Sequence, residues 1–213
     1  MHASMPINDN QVAGHSLARM AALSDGLFAI AMTLLVFEIH APATETIRSE
    51  GDLLSAVIAL WPRLIMYLMG FLTLGISWVG QQRLLDGLAH ADRNLIWIQI
   101  TFLSSAALVP FSTEFLADFI DYRTAVLFYW ANVLVLGLGL YFSWRYAVQA
   151  KLVKETVTQD LSRAIERQIL IAQALYAFGA LLSLIHPYLG IAVIFLLQIS
   201  LAVAPRVGVL SRL

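Results

Sequence analysis

The chain has 213 residues, 60% of them hydrophobic and 13% charged, with a mean hydropathy of +0.77 and a formal net charge of −1. That balance leaves too little charged surface for a soluble domain of this length, and it lacks the basic excess that a nucleic-acid partner requires. There is no cysteine, so neither a disulfide framework nor a thiolate metal site exists, and the apolar residues fall in long blocks, the pattern of an integral membrane protein.

Met1–Ala18 is polar and has no cationic start, short apolar core and small-residue cleavage site, so it reads as an N-terminal segment rather than a signal peptide. Six stretches then reach the roughly 20 mostly apolar residues of a bilayer-crossing helix: Arg19–Ile39, Leu60–Leu85, Arg93–Phe119, Thr124–Ala147, Ile165–Ile185 and Leu189–Pro205. Pro62 stands near the start of the second, where a missing N–H costs little. Pro110 lies inside the third and should kink or end it. The last two are split only by His186, Pro187 and Tyr188, a tight turn. The expected architecture is all-α: a six-helix membrane bundle over residues 19–205, with a linker over 148–164 and a tail over 206–213.

Basic residues orient the bundle. With the N-terminus in the cytoplasm, Arg19, Arg83, Arg93, Arg145, Lys151, Lys154, Arg163, Arg167, Arg206 and Arg212 lie inside, and only Arg48, Arg63 and Arg123 lie outside. Both termini are then cytoplasmic. The charged stretch Lys151–Gln168 between the fourth and fifth spans reads as a solvated helical extension.

The first span, "RMAALSDGLFAIAMTLLVFEI" from Arg19 to Ile39, places three polar groups before an almost purely apolar run. On a helix advancing by about 100° per residue, Leu34 lies at about +40° and Phe37 at about −20° from Ile30, with Thr33 at about −60°. Asp25 lies at about −140°, away from that stripe. A bare Asp near the bilayer centre costs about 2.5–3.5 kcal/mol, so a partner is expected. Spacing alone leaves two readings: Ser24 and Asp25 satisfy the helix start, or they belong to a site. Ile30, Leu34 and Phe37 by themselves read as ordinary packing or lipid contact.

The spacing Arg19-x-x-x-Leu23-Ser24-Asp25 resembles the Arg-x-x-x-Phe-Ser-Asp signature of the transmembrane protein 175 family of potassium channels. "FAIAMTLLVFEI" after Asp25 looks like that family's first helix. "YLMGFLTLGISWVGQQR" from Tyr67 to Arg83 resembles its second, with Trp78 at the tryptophan position. "ADRNLIWIQITFLSSAALVPFST" from Ala91 to Thr113 resembles the third. Spans four to six agree in number and length. Two departures stand out: Leu23 replaces the family's Phe, and Gln81 and Gln82 stand where relatives carry His, which removes a titratable group from that place.

The resemblance implies a homotetramer in which four first spans line a central pore, with potassium as the permeant ion and membrane lipid around it. It places Ile30 at the tightest hydrophobic ring, Leu34 and Phe37 as successive layers, and Thr33 as a pore-side hydroxyl. Arg19, Leu23, Ser24, Asp25, Trp78 and Gln82 would form the supporting signature network. Such a pore closes by dewetting and favours potassium modestly, because the Thr-Val-Gly-Tyr-Gly filter and a voltage sensor with Arg at every third residue are both missing. Glu38 and His40 end the first span, where Glu38 is either a cation-concentrating ring or a snorkelling interfacial group. A single six-span unit suggests a bacterial inner membrane.

Three other classes stand beside this reading. A proton-permeable or poorly selective cation leak keeps the same architecture. A secondary transporter would show repeats and broken helices about a midplane site. An enzyme is disfavoured, because His2, His15, His40, His90 and His186 are dispersed and no carboxylate pair has metal-ligand spacing. No cofactor and no metal are expected.

Overall fold

A computed structural model describes residues 9–203, with side chains from Ser16 onward except Thr46. Met1–Asn8, the end of the last span at Pro205, Arg206, Arg212 and the tail over 206–213 lie outside the described residues. The order is α1 (Asp9–Phe37), α2 (Glu50–Ala59), α3 (Trp61–Asp86), α4 (Arg93–Ala107), α5 (Val109–Asp118), α6 (Arg123–Gln149), α7 (Gln159–Ser183) and α8 (Pro187–Val203). A single 3₁₀ turn at Thr44–Thr46 and one isolated bridge, Leu88 to Val153, complete it.

Five of the six expected spans are long and apolar enough to cross a membrane: Ser16–Phe37, Glu50–Asp86, Arg93–Asp118, Arg123–Gln149 and Gln159–Leu182. The sixth, α8, has 17 described residues, or about 25 Å of rise, at the lower limit for a crossing. Pro110 acts as its position implies. The helix breaks at Leu108, α5 restarts with the proline in its first turn, and α4 and α5 together form one interrupted span.

Two boundaries differ from the sequence reading. Among the described residues the helix containing Arg19 already includes Asp9, so part of the polar N-terminal segment belongs to the first helix. The second span, expected from Leu60, is preceded by α2, which Ser49 caps by accepting the Asp52 N–H at 3.2 Å. No α2 residue is buried. The acidic pair Glu50 and Asp52 suits the positive end of a helix, which is why so polar a beginning still winds.

Three apolar cores are stacked along the bundle. One, at the Arg19 end of α1, gathers Met20, Leu84, Leu95 and Trp144. The middle core gathers Phe28, Leu35, Leu74, Phe102 and Leu136. The third, built on Met69, Leu116, Tyr129 and Ile194, has no α1 residue among its buried members. Close approach depends on glycine at two places. A Cβ on Gly70 would lie 2.7 Å from Thr113 Oγ1 and 2.8 Å from Leu35 Cδ2; one on Gly190 would lie 2.9 Å from the Gly179 carbonyl, where α7 and α8 turn back on each other.

The loops at the Arg19 end are tied together. Asp92 caps α4 by accepting Leu95 N–H at 2.8 Å, and its other oxygen accepts the Tyr146 hydroxyl of α6 at 2.5 Å. Lys154 donates through Nζ to the Asp86 carbonyl at 2.7 Å. These bonds give α3, α4 and α6 a fixed platform on which α1 leans.

Candidate functional site

α1 packs against α3, α4 and α5 with one side only. Its buried residues Met20, Ser24, Phe28, Ala31 and Leu35 fall between about +80° and +160° from Ile30, so the outward direction is near −60°. Arg19, Gly26, Ile30, Thr33 and Phe37 all lie within about 60° of that direction, and all are exposed. Ile30 is 62% exposed and Phe37 71%. Leu23 and Leu34, at about +20° and +40°, sit on the flank of this face. Together with Gly26, Leu27 and Ala107 they line an apolar groove of about 470 Å³.

Thr33 donates its hydroxyl to the Ile30 carbonyl at 2.8 Å. Its proton is thereby turned back onto the helix, and the oxygen lone pairs remain available to a cation.

Ser24 and Asp25 are adjacent and so point about 100° apart. Ser24 turns into the bundle, is fully buried, and donates to Gln81 Oε1; Gln81 Nε2 then donates to Gln99 Oε1 at 2.9 Å. Asp25 turns to the edge facing α3, where its Oδ1 accepts Trp78 Nε1 at 2.8 Å and Gln82 Nε2 at 2.6 Å. Trp78 and Gln82 are four residues apart on α3, one above the other on the same helical face, and reach one carboxylate together. The chain Ser24–Gln81–Gln99 links α1 to α3 and α4, and the Asp25 pair links α1 to α3 again.

Arg19 stands outside this arrangement. Its side chain is exposed and has no hydrogen bond or ion pair among the described residues. Geometry explains the difference: Arg19 lies about 140° around the helix from Ser24 and about 120° from Asp25, and points with Ile30 instead. Leu23 is likewise exposed, at 56%. In the sequence Gln81 stands out only as a substitution for His, and Gln99 not at all. The signal is an amide set in an otherwise apolar stretch, Gln99 alone and Gln81 beside Gln82, since a buried amide needs partners.

Past Phe37 the chain carries a second polar group of residues. Arg63 donates to the Glu38 carbonyl at 3.4 Å and pairs with Asp118 at 2.8 Å, and the His40 ring lies 3.2 Å from the same carbonyl. The Glu38 carboxyl is raised above its ordinary value, first by partial burial and then by the charge of, and a hydrogen bond with, Glu114. Among the described residues no three His, Asp or Glu side chains are placed to hold a metal ion.

Residues 19–110 match the family described as endosomal/lysosomal potassium channel TMEM175. A potassium channel of Chamaesiphon minutus is 31% identical over 86% of this chain and 92% of its own. The mouse endosomal/lysosomal proton channel TMEM175 is 26% identical over 91% of this chain, which spans 40% of the mouse protein. The structure superposes with a TM-score of 0.79, at 28% identity, on the crystal structure of a Chamaesiphon minutus homologue of a lysosomal potassium-selective channel, covering 89% of this chain and 98% of that one. The chain therefore belongs to the TMEM175 family, and it is a multi-pass integral membrane channel protein, not an enzyme.

Proposed function

We propose that the protein is a potassium-permeable cation channel that assembles as a homotetramer, with four α1 helices lining the pore and both termini in the cytoplasm of a bacterial cell. The observation that carries this reading is the location of Asp25. It lies close to the midpoint of Ser16–Phe37, a span about 33 Å long, and it is exposed there. An ionisable group at that depth faces a protein partner or a water-filled path rather than lipid. The names of the bacterial relatives supply the ion.

In this reading Ile30 is the constriction. Four isoleucine side chains offer no oxygen to replace a hydration shell, so they close the pore by excluding water. A small rotation or shift of α1 admits a partly hydrated cation. Potassium holds its water less tightly than sodium, so the preference for it is modest. Thr33, three residues on, presents four oxygens whose protons already point to the Ile30 carbonyl. Ser24, Asp25, Trp78 and Gln82, with Gln81 and Gln99, fix the rotation of α1 and so decide which residues face the axis.

Potassium and sodium flux through the purified protein in liposomes tests this. Potassium-favoured flux that rises in Ile30→Asn supports the gate. No flux in either protein, each shown to be folded and tetrameric, overturns the channel reading in favour of a transporter. A second reading, a proton-permeable leak, is favoured by the name of the mouse relative. An internal pH dye in the same liposomes separates the two readings, since only the leak acidifies the lumen under a potassium-free proton gradient.

A further inference from the structure

Arg19 is the one cation among the described residues that shares the outward face of α1 with Ile30 and Phe37. It lies 11 residues, about 16 Å, from Ile30 along an unbroken helix and only about 20° around it. Its guanidinium is exposed and unpaired among the described residues. The opposite end of this face finishes at Phe37 with no cation on it, and the next charged residue, Glu38, is acidic. The face is therefore electrically lopsided.

We infer that four Arg19 guanidiniums ring one mouth of the pore and make conduction asymmetric, so that cations enter faster from the Phe37 end than from the Arg19 end. The inference rests on the pore reading of α1. A ring of like charge lowers the local concentration of permeant cations, and the low-dielectric walls of a narrow mouth focus that field. Asp25 lies about 9 Å deeper and about 120° around the helix, its Oδ1 occupied by Trp78 and Gln82. Arg83 and Asp86 at the same end of α3 are both exposed and of opposite sign; beyond them Arg93 is exposed, and Asp92 is half-buried with its carboxylate bonded to Leu95 N–H and the Tyr146 hydroxyl. None of these cancels a charge held on the pore face itself. The effect is screened over a Debye length of about 8 Å at 0.15 M salt and about 30 Å at 0.01 M, so the asymmetry grows as salt falls.

Because the chain contains no cysteine, Arg19→Cys gives a single reactive site. Single-channel currents in symmetric potassium are compared at equal and opposite voltages, before and after a membrane-impermeant thiol reagent is added to one chamber. The native channel should pass severalfold more current in one direction, and more so in dilute salt. Arg19→Cys should pass nearly equal currents, a positively charged reagent should restore the asymmetry, and a negatively charged one should reverse it. Arg19→Lys should keep it, which separates charge from packing. Native-like asymmetry in Arg19→Cys, unchanged by either reagent, overturns the inference while Ile30→Asn still raises flux. If Ile30→Asn leaves flux unchanged as well, the pore reading of α1 falls with it.

Discussion

α1 and α8 both expose large apolar residues, yet they dispose of their polar groups in opposite ways. On α8, Leu189, Leu196, Ile199 and Val203 face outward, and the helix's amide, Gln198, is turned fully inward. There it donates to Thr73 Oγ1 at 2.7 Å and to the Tyr129 hydroxyl at 3.0 Å. On α1, Ile30 and Phe37 face outward beside Thr33, Gly26 and Arg19, and the carboxylate of Asp25 remains exposed at the edge. A helix in contact with lipid hides what lipid penalises. By that criterion α8 is finished for a bilayer and α1 is not. The apolar stripe of α1 is the part of this surface that resembles α8, and its polar neighbours are what distinguish it.

Placing the same substitution on both faces tests this contrast most severely. Ile30→Asn should raise cation flux in liposomes severalfold, because an amide wets a ring that otherwise stays dry. Leu196→Asn should leave flux at the native level and only lower the yield of inserted protein, since it presents an amide to hydrocarbon. Equal effects at the two positions would show that the outward face of α1 is a lipid face like that of α8.

Asp25→Ala should follow in size. It removes the shared acceptor of Trp78 Nε1 and Gln82 Nε2, and hydrogen bonds to a charged group contribute about 1.5–3 kcal/mol each when well made. With partial exposure taken into account, a loss of about 2–3 kcal/mol is expected, read as a lowered thermal midpoint in detergent. Gln198→Leu makes the matching change on α8. Thr73 and Tyr129 still bond to each other at 2.6 Å, and Tyr129 still donates to the Met69 carbonyl at 3.2 Å. Gln198 Oε1 has no partner in the native protein, so replacing a half-satisfied amide by an apolar group should cost under about 1 kcal/mol. A Gln198 loss as large as that of Asp25 would remove the distinction between an anchor and a core amide.

The same contrast explains what was legible in the sequence. Long apolar blocks mark where helices cross, and Pro110 marks where one breaks, because hydropathy and a missing N–H act locally. Ser49 followed three residues later by Asp52 carries the cap that starts α2. That signal is made of polar residues, which hydropathy passes over. Ser24, Asp25, Trp78 and Gln82 were grouped by resemblance, and their helical angles agree with the two sets of bonds they make. Arg19 was grouped with them by the same motif, but its angle places it with Ile30. Gln81 and Gln99 lie on different helices 18 residues apart, so each amide signals a need for a partner but nothing local in the sequence pairs the two. Hydropathy is blind to the difference between α1 and α8 for a related reason: it counts apolar residues without asking which way the polar ones turn.

A weaker effect belongs to the other end of the two helices. α8 is tied there by an ordinary donor and acceptor, Tyr188 hydroxyl to Asp121 at 2.8 Å. α1 is followed there by Glu38, which meets another carboxyl, Glu114, with Asp118 adding to the repulsion and His40 opposing it. Burial, then Glu114, raises the folded-state pKa of Glu38 above 4.5. The folded protein thus holds that proton more tightly than the unfolded chain. The stability this contributes is fully present below the ordinary carboxylate value and is lost as pH rises through the raised one. In Glu38→Gln the amide still donates to Glu114 but cannot ionise. Its thermal midpoint should therefore match that of the native protein near pH 4 and exceed it slightly at pH 7. A difference of the same size at both pH values would mean that Glu38 does not feel Glu114, and that the end of α1 is as passively held as the end of α8.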